Sequence, residues 1–221
     1  MIHSESAEPG LRGRGFAGLA SILLIVAGDL IFKPLSALLV LLWARLSGTP
    51  VADLGFRRPS RWLRTILLGT VAGIALKFLL KAIVMPLLGA PAINEAYQFL
   101  KGNSAALPGT LYAIVIGAGF GEETLFRGFF FERLRQFMGT HTGATVTIVV
   151  ITSAFFGLAH YPDQGWPGVQ QAVIMGLVFG TMYATTRSLS LSIVTHIVFD
   201  LTALWMIYNG LEARIAGAVF K

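Results

Sequence analysis

The chain has 221 residues, 55% of them hydrophobic and 11% aromatic, with 17 Lys and Arg against 11 Asp and Glu, a formal charge of +6 and a mean hydropathy of +0.71. Charged residues make up only 13%, about half the ~25% of a soluble globular domain, and a chain this apolar is equally unlike a disordered one. With no cysteine, disulfides, haem thioethers, cysteine nucleophiles and thiolate zinc sites are excluded.

What remains is an all-α, polytopic integral membrane protein. The apolar runs are long and continuous, unlike the alternating segments of about ten residues in a β-barrel. At about 20 residues per span, the length holds about six transmembrane helices and no sizeable soluble domain. Residues 1–15 read as a flexible polar tail, and 16–108 as N-terminal helices and a basic loop. Within them, 16–46 is predicted to be one span, kinked or tilted at Pro34, with a hairpin of two short segments as the alternative. Asp29 and Lys33 stand at i,i+4 spacing, available to pair. Residues 45–64 carry five arginines and one aspartate, which marks an inside-facing loop. Spans are then predicted at 65–89, 109–135, 141–160, 168–187 and 189–208, with a C-terminal tail at 209–221. The basic residues flank apolar runs, so the expected partners are bilayer headgroups and not nucleic acid.

Ionisable groups inside spans cost at least about 2.5–3.5 kcal/mol near the bilayer centre, so their positions are informative. Three clusters stand out: EETLFR at 122–127, FGLAH at 156–160 and HIVFD at 196–200. On an α-helix Glu123 and Arg127 share a face and can pair, while Glu122 is turned about 100° away and left free for chemistry. His196 and Asp200 are also four apart on one face. His160 closes the fourth span just before Tyr161-Pro162-Asp163. Helix rise puts these groups at different depths, so they meet in one cavity only if helices tilt or partly unwind. Lys77 and Lys81 are free to snorkel, face the cavity or bind a substrate carboxylate. Phe126, Phe129, Phe130 and Phe131 are expected to pack or face lipid. Carboxylates and histidines without a serine or cysteine nucleophile suit activation of a water, by a carboxylate base or by a metal.

At these three motifs the sequence resembles the intramembrane glutamate-dependent endopeptidases, the family of type II CAAX prenyl proteases and bacteriocin-processing enzymes. Its pattern is Glu-Glu-x-x-x-Arg, then Phe-x-x-x-His, then His-x-x-x-Asn or Asp, and all three parts occur here in order. The resemblance implies that residues 109–208 form the catalytic transmembrane core around an intramembrane cavity. It implies Glu122 as general base, His160 as the group that positions or polarises the water, and His196 with Asp200 as stabilisers of the oxyanion. Glu123 and Arg127 would hold the motif in shape. It further implies a peptide or protein substrate, lipid-modified in the CAAX case, and neither cofactor nor metal. Asp200 stands where the best-known prenyl proteases carry Asn, and an ionised aspartate cannot donate to an oxyanion. The expected location is a bacterial cytoplasmic membrane. Two alternatives remain open at this level: the same Glu, His, His and Asp as ligands of a metal, or a proton or ion pathway or immunity scaffold without enzymatic activity.

Overall fold

The computed structural model describes residues 9–13 and 15–220, so most of the expected N-terminal tail, His3 included, lies outside the described residues. Every regular element among the described residues is helical. After a single turn at Pro9–Arg12 come α1 (Phe16–Ile31), α2 (Lys33–Leu46), α3 (Trp62–Leu87), α4 (Ser104–Met138), α5 (Thr142–Leu158), α6 (Tyr161–Thr186), α7 (Leu189–Tyr208) and a short α8 (Glu212–Ala216). Helices α3, α4 and α7 are long and apolar enough to cross a membrane, and α1 and α5 are apolar but shorter.

The distribution of polarity is inverted relative to a soluble domain. Leu63, Leu67, Val71, Val150 and Phe155 are exposed, whereas Lys77, Lys81, Glu122, Glu123, Arg127 and Arg133 are buried. An apolar exterior of this extent around a charged interior is what a bilayer solvent selects, because helices satisfy their own backbone and charges turn inward. The protein is therefore an all-α, polytopic membrane protein.

The single span expected at 16–46 is not what forms. Phe32 is extended (φ −161°, ψ 109°) and Pro34 occupies the first turn of α2, where its missing N–H costs nothing. The extended Phe32 separates the two helices, and the chain reverses there into a helical hairpin. Trp43 Nε1 donates to Leu11 O at 3.2 Å, and Ile25 shares a core with Val40, Trp43 and Ala44. The break also separates Asp29 from Lys33: Asp29 accepts from Ser36 Oγ at 2.9 Å, and Lys33 turns elsewhere.

The long helices come together where glycines remove side chains. A Cβ on Gly73 of α3 would lie 2.7 Å from Thr195 O of α7, and one on Gly176 of α6 would lie 2.9 Å from Ser153 Cα of α5. Such small-residue contacts let backbones touch without a hydrophobic driving force. The fifth span expected at 168–187 starts earlier, at Tyr161, with a break at Gly165 (φ 60°, ψ −158°). Phe126 and Phe129 are buried in one core with Phe130 partly buried against it, and Phe131 is buried in another with Ile148 and Tyr183.

Candidate active site

Helix α4 carries the first motif. Between Ala113 and Phe130 it winds more widely than an α-helix, with π-type hydrogen bonding. Wide turns of this kind are rare and concentrate at functional sites. The wider winding brings neighbours 122 and 123 closer in direction than the 100° expected of an α-helix. Both carboxylates approach the same imidazole, with His196 Nδ1 at 2.9 Å from Glu123 Oε1 and Nε2 at 3.9 Å from Glu122 Oε2.

Glu123 is the anchor. Its Oε1 receives Arg127 Nη1 at 3.0 Å and His196 Nδ1 at 2.9 Å, in a location where Glu123 and Arg127 are 0% and 1% exposed. The guanidinium lies 4.3 Å from the centre of the Phe156 ring, which adds a cation–π contact. The i,i+4 pair read from the sequence is present, and it extends one step further than the sequence indicates, into the third motif. Because Nδ1–H is given to Glu123, His196 presents Nε2 to the cavity, with Asp200 Oδ2 at 3.5 Å.

Glu122 is not the free carboxylate expected of it. Lys33, delivered by the α1–α2 reversal, pairs with its Oε1. Its Oε2 is buried and has no hydrogen-bond partner among the described residues. Lys33 escaped the sequence reading because Asp29, four residues away, offered a nearer partner. The available signal was a lysine immediately before a helix-breaking proline inside an apolar run.

His160 sits on the turn between α5 and α6. Its Nδ1 lies 2.8 Å from Phe156 O, and since a carbonyl can only accept, Nδ1 is the protonated nitrogen. In the neutral ring Nε2 is then an acceptor. Phe156 itself packs edge-on to both His160 and His196, with centroids 4.8 and 6.0 Å apart.

Glu122, His160, His196 and Asp200 all line one cavity of about 330 Å³. They share it despite the different depths expected from helix rise. The same cavity is lined by residues with no place in the motifs, among them Lys77, Lys81, Tyr97, Gln171 and Glu212. Tyr97 lies in the loop between α3 and α4, where burial, reinforced by the Asp200 carboxylate, holds its phenol above the ordinary value, so it remains a neutral hydroxyl. Its oxygen accepts from Gln164 Nε2 at 3.2 Å. Glu212, in the region read as a C-terminal tail, is buried, takes Lys81 Nζ at 2.9 Å and accepts from Gln98 Nε2 at 2.7 Å. An acid just past an apolar helix, with two lysines unpaired elsewhere in the spans, was the available signal. Among the described residues no three His, Asp or Glu side chains converge closely enough to share a metal ion. His141 stays apart as the N-cap of α5, accepting from Ala144 N at 3.1 Å.

Residues 104–202 match the family model of the Rce1-like type II CAAX prenyl endopeptidases, a stretch that contains all three motifs and their helices. This segment, somewhat under half of the chain, is similar to the Rce1-like family. No curated protein and no solved structure matches the chain. This similarity points to a protease, a peptide hydrolase, in a chain whose apolar helices suit a membrane. Lys33, Lys77, Lys81 and Glu212 lie outside the Rce1-like segment, so its cavity is completed by parts of the chain that the family model does not reach.

Proposed function

We propose that the protein is an intramembrane endopeptidase that hydrolyses a peptide bond with a water activated by Glu122. The observation that carries this reading is the asymmetry of that carboxylate: Oε1 is held by Lys33, and Oε2, at the wall of the cavity, is buried with no hydrogen-bond partner among the described residues and only the His196 imidazole, 3.9 Å away, near it.

The roles follow from donor and acceptor chemistry. Oε2 of Glu122 accepts one proton of the attacking water, and Nε2 of neutral His160 accepts the hydrogen bond of the other. The resulting hydroxide attacks the carbonyl carbon, and the carbonyl oxygen becomes the oxyanion of a tetrahedral intermediate. With both nitrogens protonated, His196 donates Nε2–H to that oxyanion while Nδ1–H stays on Glu123. Asp200, when ionised, has only acceptor lone pairs, so it acts through His196 and not on the oxyanion. The proton held on Glu122 passes to the departing amine, and the C–N bond breaks. Arg127 and Glu123 keep His196 in place. Substrates of this reading are peptides or proteins at the bilayer, lipid-modified where the role is CAAX-type maturation and unmodified where it is bacteriocin processing or immunity, in a bacterial cytoplasmic membrane.

The test is comparative peptidomics of membranes containing wild-type protein or Glu122→Gln, followed by kinetics of the purified protein on the peptides found. Glu122→Gln and His160→Ala are each expected to lower kcat by about 10²–10⁴. Equal cleavage by wild type and Glu122→Gln refutes the reading. Activity that disappears in EDTA and returns with Zn²⁺ replaces it with a metal-dependent one.

A further inference from the structure

The end of the bundle that carries the basic loop holds another cavity, of about 140 Å³, which shares no lining residue with the first. Three helix ends meet around it. Arg135 comes from the last turn of α4, Thr140 and Thr145 flank the start of α5, and Arg187 is the residue that ends α6, with Phe131 and Ile148 as apolar lining. Leu189 N donates to Gly55 O at 2.9 Å and Ser188 Oγ to Arg57 O at 3.4 Å, so the arginine-rich loop is fastened beside this cavity. Among the described residues Arg187 is the only non-glycine with a positive φ, 54°. Helices commonly end in this left-handed conformation on a glycine, because glycine has no Cβ to clash. Arg187 keeps a cation where the backbone favours no side chain at all.

The donors around this cavity are largely unfilled by protein. The Arg187 guanidinium lies 5.3 Å from the centre of the Tyr183 ring and makes no hydrogen bond or ion pair among the described residues. Arg135 Nη1 stands 3.7 Å from Glu132 Oε2, too far for a hydrogen bond, while Glu132 Oε1 accepts from Gln136 Nε2 at 2.8 Å. Partial burial, with Arg135 and Arg57 as neighbouring cations, holds the Arg187 guanidinium below its ordinary value, against the opposing effects of Tyr183 and Glu132. Two guanidinium forks and two hydroxyls around one polar cavity match the several acceptor oxygens of a phosphate. We propose that Arg135 and Arg187, with Thr140 and Thr145, bind the phosphate of an anionic phospholipid headgroup. Lipid is the source that the surroundings favour: Val146 and Val150, on the same helix as Thr145, are 58% and 52% exposed and continue the apolar exterior away from the cavity. They give an acyl chain a path along α5 from a phosphate held at the end of the bundle. The volume suits a phosphate group with the chains left outside, since whole small-molecule ligands occupy roughly 300–1,000 Å³. The site is separate from the hydrolysis proposed above and stands or falls without it.

The test is native mass spectrometry of the full chain released from detergent, titrated with phosphatidylglycerol or phosphatidylcholine of identical chains and, in a separate arm, with inorganic phosphate. Wild type is expected to hold phosphatidylglycerol roughly 10- to 30-fold more tightly than phosphatidylcholine, as two arginines at the headgroup allow. Arg135→Gln and Arg187→Gln should each weaken phosphatidylglycerol roughly 5- to 10-fold, whereas Arg58→Gln, an exposed position of the basic loop outside the cavity, should change it less than about twofold. Arg187→Gly separates binding from folding. Glycine takes the left-handed position without strain, so this variant should keep the wild-type melting temperature in lipid-free detergent and still lose the preference. Equal affinity of wild type for the two lipids, or wild-type binding of phosphatidylglycerol by Arg187→Gly, overturns the site. Equal weakening by Arg58→Gln and Arg187→Gln overturns it in favour of a diffuse basic surface. Sub-millimolar binding of inorganic phosphate that neither lipid displaces overturns lipid as the source.

Discussion

Arg127→Met is the most informative perturbation of the framework around His196, because burial there is complete on both sides of an ion pair. Arg127 is 1% exposed, its Nη1 is 3.0 Å from Glu123 Oε1, and its Cζ lies 4.3 Å from the Phe156 ring centre. Methionine replaces the apolar stem but leaves the Glu123 carboxylate with only His196 Nδ1, at 2.9 Å, as a partner among the described residues. Removing one partner of a buried pair costs about 3–5 kcal/mol. Loss of the cation–π contact adds about 1–2 kcal/mol, and removal of Nη2, which has no acceptor among the described residues, returns roughly 1–3 kcal/mol. The net expectation is a loss of about 3–5 kcal/mol. Neutralising both partners should cost far less, since an intact buried pair is often replaceable by neutral groups. Arg127→Met/Glu123→Gln is thus expected to be more stable than Arg127→Met by about 2 kcal/mol, a non-additivity typical of contacting residues. Reversible unfolding in mixed micelles, followed by tryptophan fluorescence and circular dichroism, measures both variants. A cost below about 1 kcal/mol for the single variant, or a double variant no more stable than the single one, refutes the account.

Lys33→Met should lower kcat about 10- to 100-fold with little change in KM, because Lys33 orients Glu122 from a position partly open to the surroundings; Lys33→Arg should recover most of the loss, and a wild-type kcat for Lys33→Met would show that the pair is incidental. Gly73→Val should destabilise by about 1–3 kcal/mol and disturb His196, since its Cβ would sit 2.7 Å from Thr195 O, one residue away; unchanged thermal stability and activity would contradict the close approach of α3 and α7. Glu212→Gln strands the buried Lys81 ammonium, and limited proteolysis in the loop at 90–103 is expected to accelerate several-fold, with no acceleration if Glu212 does not hold that loop.

Much of the architecture was legible because its causes are local or compositional. Mean hydropathy and the length of apolar runs determine partition into a bilayer, and a bilayer admits helices because each closes its own hydrogen bonds. Helical spacing alone put Arg127 four residues from Glu123 and Asp200 four from His196, and the structure contains both contacts. The three motifs could be placed on helices for the same reason, and the matched family segment covers all of them.

Where two equally local readings competed, the sequence did not decide. Residues 16–46 contain a proline compatible with a kink or a reversal, and only packing of Ile25 against Val40 and Trp43 selects the reversal. The partner of Glu122 lies 89 residues away and that of Lys81 lies 131 away, and no periodicity encodes such distances. The relative directions of Glu122 and Glu123 depended on the wider winding of α4, which its glycines permit but do not announce. Composition and spacing therefore determined the membrane setting, the helices and the short-range pairs, because partition and helix geometry act over a few residues. The tertiary structure decided which charges meet, because in a helical membrane protein the rotation and depth of each helix are set by what it packs against.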